Sequence, residues 1–175
     1  AERTSLLAEK QGHGENPDGD QRGQKSDRGG PGRLPNISGG RYTWWNNRAG
    51  LDVMAYRPQS PGRWRVWLSW GCGWRSHSTD AEYLVDADGD LATKDDQVWI
   101  ATVDQQRFRD ETGQPENRSL WSGFYNAGVH ELGPQSVILL RGGSQGSAIT
   151  ADVIVLEEAT RTEAPDEFAA PRLSP

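Results

Sequence analysis

Between about residues 39 and 158 the chain repeats one pattern: a short run of alternating apolar and polar residues, then a cluster of Gly, Pro, Asn, Asp or Ser. Alternation with period two marks a strand with one face buried, and turn residues at short intervals mark the hairpins of antiparallel sheets. The pattern predicts strands over residues 41–45, 51–56, 63–69, 81–86, 97–103, 120–126, 128–132, 135–141 and 148–156, with no convincing helix among them. Turns are expected at 58–62 (PQSPG), 86–90 (DADGD), 126–128 and 142–146, whose residues accept tight or positive-φ conformations. The predicted fold is all-β, an antiparallel two-sheet β-sandwich of jelly-roll-like type with disordered termini.

The flanks lack this pattern. Residues 1–38 are polar and Gly-rich, with Ser5, Leu6, Leu7 and Ala8 the only hint of a short helix, and residues 159–175 resemble them. Neither flank carries enough apolar surface to offset the entropy of ordering it. The expected organisation is therefore a flexible linker at 1–38, a sandwich domain at 39–158 and a flexible tail at 159–175.

Alternation also sorts the aromatic residues. In the run RWRVWLSW, Trp64, Val66, Leu68 and Trp70 share one face and Arg65, Trp67 and Ser69 the other. The first set reads as core, which leaves Trp67 on the nominally solvated face, where an indole is unexpected unless a second layer covers it. A similar split separates Trp45 from Tyr42 and Trp44.

Composition narrows the function classes. A chain of 175 residues suits one domain, and although only 34% of it is hydrophobic it holds eight Trp, seven of them between Trp44 and Trp99. A formal charge of -6 argues against nucleic acid or anionic lipid as partner. Cys72 is the only cysteine, so no internal disulfide and no CxxC metal or haem motif exists. No stretch reaches the roughly 20 apolar residues that span a bilayer. A start at Ala1 without Met reads as a processed product or an excised fragment.

Several segments taken in order point to a family. AYRPQSPGRWRVWLSWG at 55–71, STDAEYLVD from Ser78, VDQQ from Val103, LWSGFYNAG from Leu120, VILLRGG from Val137 and ITADVIVLE from Ile149 together resemble the golvesin C-terminal or xanthan-lyase carbohydrate-binding-like domain. The resemblance covers about two-thirds of the chain. WGCGWRSH at 70–77 and DADGD at 86–90 are similar to copies at the ends of large secreted proteins of planctomycete-type bacteria. The resemblance implies a sandwich fold, a secreted, periplasmic or cell-surface location and glycan binding, although fold alone does not establish function.

The loop from Gly71 to His77 offers an indole, a guanidinium and an imidazole close together. A pyranose presents apolar C–H faces that stack on aromatic rings and hydroxyls that need directed hydrogen bonds, so such a mixture suits a sugar. The carbohydrate candidates are Trp74, Arg75, His77, Trp67, Trp45, Tyr125 and Gln105. The competing reading is that the rings plug the ends of the sandwich and that Asp104, Gln105 and Gln106 serve buried loop backbone. Asp86, Asp88 and Asp90 imitate a calcium loop, but Gly89 stands fourth where an EF-hand needs Gly sixth, and Gln97 stands where it needs Glu, so a D-G turn explains the same letters. No cofactor is expected, and calcium held by Asp86, Asp88 and Asp90 in some other oxygen geometry is the alternative.

Catalysis finds no foothold in the sequence. HExxH and Walker patterns do not occur, Cys72 and His77 have no recognised catalytic spacing, and the adjacent Asp95 and Asp96 do not form a glycosidase pair. The sequons at Asn36 and Asn117 are short enough to arise by chance. The leading expectation is a non-catalytic accessory domain that binds polysaccharide. The alternative is a structural or interaction module whose exposed indoles pack on a neighbouring domain or subunit.

Overall fold

The computed structural model describes residues 3–7, 14–17, 24–27, 41–71, 74–106, 120–121 and 124–160. Cys72, the sequons at Asn36 and Asn117 and residues 161–175 of the expected tail at 159–175 lie outside the described residues. These residues form thirteen strands and no helix: β1 (Thr4–Leu7), β2 (Gly14–Glu15), β3 (Gln24–Asp27), β4 (Arg41–Asn46), β5 (Asp52–Tyr56), β6 (Gly62–Leu68), β7 (Ala81–Asp86), β8 (Gln97–Val103), β9 (Leu120–Trp121), β10 (Phe124–Leu132), β11 (Val137–Arg141), β12 (Ala148–Ala151) and β13 (Ile154–Glu158). All pair antiparallel, in two five-stranded sheets ordered β1-β13-β6-β10-β9 and β2-β5-β11-β7-β8 and one three-stranded sheet ordered β12-β4-β3.

The two larger sheets share one apolar core, as a sandwich requires. The first contributes Trp64, Val66, Leu68, Tyr125, Ile154 and Leu156, and the second Met54, Tyr56, Tyr83, Val85, Ile138 and Leu140. The small sheet adds Trp45, Ile149 and Ala151. Alternation along β6 divides its residues as the sequence requires: Trp64, Val66 and Leu68 enter this core, while Trp67 points to the outer side. That outer side is not solvated at Trp67. The ring is 3% exposed, packs with Phe124, Val153, Val155 and Leu6, and donates its N–H to Glu157 Oε2 at 2.9 Å.

The N-terminal flank departs from expectation, because the segment read as linker supplies β1, β2 and β3. β1 is a strand where a helical turn was suggested. It adds to the edge of an existing sheet through Leu6↔Val155 and Leu7↔Ile154, so Leu6 covers the outer cluster while Leu7 enters the core. Arg3 fixes its start with a fork to Glu158, Nη2 to Oε1 at 2.8 Å, and lies over the Trp64 ring at 5.5 Å. Two leucines suffice for a strand that borrows its hydrogen bonds from a finished sheet, and composition over forty residues does not register them.

Two expected boundaries also shift. The predicted strand 120–126 is divided between β9 and the start of β10, β10 runs on through the predicted strand 128–132, and the Asn126–Gly128 turn is a bulge within it, where the register against β6 breaks between Asn126 and Val129. Gly128 has φ of 92° and donates its N–H to Asn126 Oδ1, a conformation open to glycine at little cost. The predicted strand 148–156 is two strands, since Asp152 and Val153 carry the chain from the small sheet into the first large one.

Candidate functional site

The loop between β6 and β7 is held from three sides. Gly71 passes so close to the Tyr42 ring that any Cβ would collide with it, and its carbonyl accepts from Thr150 Oγ1 at 2.8 Å. Ser76 O accepts the N–H groups of Ser147 and Ala148, both at 2.9 Å, and Ser78 N donates to Ala148 O at 2.7 Å. Gln106 Nε2 donates to Arg75 O at 2.9 Å and to His77 O at 3.1 Å. The described residues Gly71 and 75–78, whose backbone groups are fixed this densely, form a ledge. On it Trp74 stands 60% exposed, with Arg75 and Ser76 also exposed.

The other sequence candidates do not share that exposure. His77 is buried, its Nδ1 3.2 Å from Gln105 O and its ring edge-on to Tyr42 at 5.8 Å. Gln105 is fully buried, and its side chain imitates a strand: Nε2 donates to Thr150 O at 2.7 Å and Oε1 accepts from Thr150 N at 2.8 Å. Trp45 and Tyr125 lie in the main core, Tyr125 beside Trp70 with ring centroids 6.4 Å apart, and Trp67 lies in the outer cluster. A buried ring has no open face for a sugar to stack on, so of the seven candidates only Trp74 and Arg75 stand on the surface. The backbone-serving reading of the Gln105–Gln106 pair holds: one residue ties β12 and the other the ledge.

The ledge is also coupled to the 142–146 turn through Asp80. Its Oδ2 accepts from Ser144 N and Oγ, and its Oδ1 from Gln145 N and Ser78 Oγ, at 2.6 to 3.1 Å. Burial pushes this carboxyl up, but the hydrogen bonds from Ser144, Gln145 and Ser78 outweigh it and hold Asp80 below the usual carboxylate range.

A second exposed indole, Trp99, was not singled out by sequence. In QVWIATV strict alternation places Trp99 with Ala101 and Val103, both of them core residues. A bulge intervenes: Tyr83 pairs with Ala101 but Leu84 pairs with Trp99, so Ile100 is the extra residue and Trp99 turns to the outer face. There it is 52% exposed, and its Nε1 donates to Thr102 Oγ1 at 2.9 Å. No pattern of apolar spacing announces a one-residue bulge.

On the same outer face the acidic loop folds differently from a calcium loop. Asp86, Asp88 and Asp96 bring carboxylate oxygens within 4.8 Å of one another, and Asp90, the third residue expected, instead accepts from Ala92 N at its own turn. Asp86 is buried and accepts from Gly89 N at 2.8 Å and Gln97 Nε2 at 2.9 Å, while Asp96 Oδ2 accepts from Asp88 N at 2.9 Å. Gly89, with φ of 74°, makes the turn the D-G pair suggested. The Asp90 amide draws the Asp88 carboxyl down, but desolvation and the charges of Asp96 and Asp86 prevail and raise it.

No protein-family model and no curated protein matches the sequence. Among solved structures the chain is similar to a Paenibacillus xanthan lyase, with a TM-score of 0.55 and 13% identity, over 90% of this chain and 12% of that one. The likeness is one of fold, to a β-domain within a carbohydrate-active protein, and the chain spans only that small share of the lyase's length.

Proposed function

We propose that this chain is a non-catalytic carbohydrate-binding-like domain of the golvesin or xanthan-lyase type, tethering a larger secreted protein to polysaccharide through the Trp74–Arg75 ledge. The observation that carries the reading is the open Trp74 indole, held with Arg75 on a loop that Gln106, Ser147 and Ala148 fix. A ring presented on a rigid loop stacks on a pyranose without first being ordered, and a neighbouring guanidinium supplies directed donors for hydroxyl or carboxylate oxygens. The fold likeness to a polysaccharide lyase is consistent with this role.

The test is intrinsic fluorescence of the full chain titrated with soluble neutral and acidic polysaccharides, with Trp74→Ala alongside. A saturable change lost in Trp74→Ala is expected. No response to any glycan, together with self-association of the chain or capture by its parent protein, would replace this reading with that of an interaction module.

A further inference from the structure

The outer face of the second sheet carries chemistry unlike that of the ledge. Its cross-strand row Ala55, Leu139, Leu84, Trp99 begins as a buried apolar strip, partly roofed by Leu91, and ends in the open at Trp99 on the terminal strand. Trp99 is held: its N–H is bound to Thr102 Oγ1 three residues along the same strand, which fixes the indole relative to β8. The neighbouring row on this face is Asp86↔Gln97, two strand positions or about 7 Å away. From Glu82 to Gln97 the chain holds six carboxylates, Glu82, Asp86, Asp88, Asp90, Asp95 and Asp96, against one cation, Lys94. Arg141, which reaches Gln97 Oε1 across this face, is neutralised by its 2.7 Å pair with Asp52.

A fixed, half-open indole on the face that also carries the clustered carboxylates of Asp86, Asp88 and Asp96 attracts cations, because the ring face carries negative potential and the carboxylates add to it. An anionic sugar chain is repelled there, the reverse of what Arg75 does at the ledge. We infer that Trp99 is a second contact surface of this domain and that it takes an amine-bearing saccharide, its sugar face stacked on the indole and its ammonium groups facing the Asp88–Asp96 side. The saccharide, as opposed to a basic protein segment, follows from the carbohydrate-binding reading, on which this inference rests.

The experiment uses the full chain and a β-1,4-linked glucosamine hexamer, its fully N-acetylated counterpart and an oligolysine of equal charge, at about pH 6, where the amines are charged. Binding is read by calorimetry for the native chain, Trp99→Ala, Trp74→Ala and Asp88→Asn. The glucosamine hexamer is expected to bind saturably, to weaken about tenfold in Trp99→Ala, to weaken in Asp88→Asn and with added salt, and to be unaffected by Trp74→Ala. The acetylated hexamer, which lacks the charge, binds more weakly. Absence of saturable hexamer binding, indifference to Trp99→Ala or equal binding of the acetylated form would overturn the inference. So would binding of oligolysine without the hexamer, which would assign the face to a basic protein. Trp74-dependent binding of another polysaccharide in any of these cases would leave the ledge reading standing, and its absence would remove both.

Discussion

Replacing Gln105 with leucine keeps the volume of a fully buried side chain and removes only its two hydrogen bonds, to the N–H and C=O of Thr150 at 2.8 and 2.7 Å. Thr150 is itself buried on β12, so water does not replace the lost partners. A buried backbone group stripped of its partner costs about 1–3 kcal/mol, and two such groups give about 2–6 kcal/mol. For a domain of this size that corresponds to a fall in Tm of about 5–20 °C. Urea unfolding followed by far-UV circular dichroism, with thermal scans alongside, reads the change directly. Where the variant remains folded, glycan affinity should be unchanged, because the amide faces β12 and never reaches the ledge surface. A stability loss below about 0.5 kcal/mol, or a loss of glycan binding at full stability, would refute the reasoning and return Gln105 to the list of ligand contacts.

Three further outcomes follow from the same contacts. Trp67→Ala should destabilise by about 3–5 kcal/mol, measured by urea unfolding, since its ring is enclosed by Phe124, Val153 and Val155. Leu7→Ala should cost about 2–5 kcal/mol, because Leu7 is fully buried in the main core; a neutral result would restore the N-terminal segment to a linker. Asp80 is held below its ordinary value near 3.8, so its stabilisation is fully present above that value and is lost as pH falls through its folded value. Unfolding curves of the native chain and Asp80→Asn should therefore differ at neutral pH and converge in strong acid.

Much of the fold is legible in the sequence because period-two alternation and turn residues are local signals. β7 and β8 fall on residues 81–86 and 97–103 as alternation predicts, and the assignment of Trp64, Val66 and Leu68 to the core follows from the same count. What alternation misses is anything decided by a partner strand. β1 exists because β13 offers it an edge, and the bulges at Gly128 and at Ile100 are set by register with β6 and β7. Gly128 left a trace, a glycine, and was read as a turn; Ile100 left none. The candidate site was legible in part. A Trp-Arg pair in a Gly-rich loop announces an open ring at Trp74, whereas residue type alone does not distinguish it from Trp45, Trp67, Tyr125 and His77, whose side chains the folded sheets enclose. Exposure is a tertiary property, and sequence indicates it only where the chain has no sheet to join.

The most direct test of the account is equilibrium binding of the native chain and Trp74→Ala to one soluble polysaccharide that the native chain binds, with urea unfolding of both proteins in parallel. The side chain is 60% exposed, so stability should stay within about 0.5 kcal/mol while affinity falls about tenfold or more, the loss of an open stacking ring. Unchanged affinity in an equally stable Trp74→Ala chain would contradict the assignment of the ledge as the binding surface.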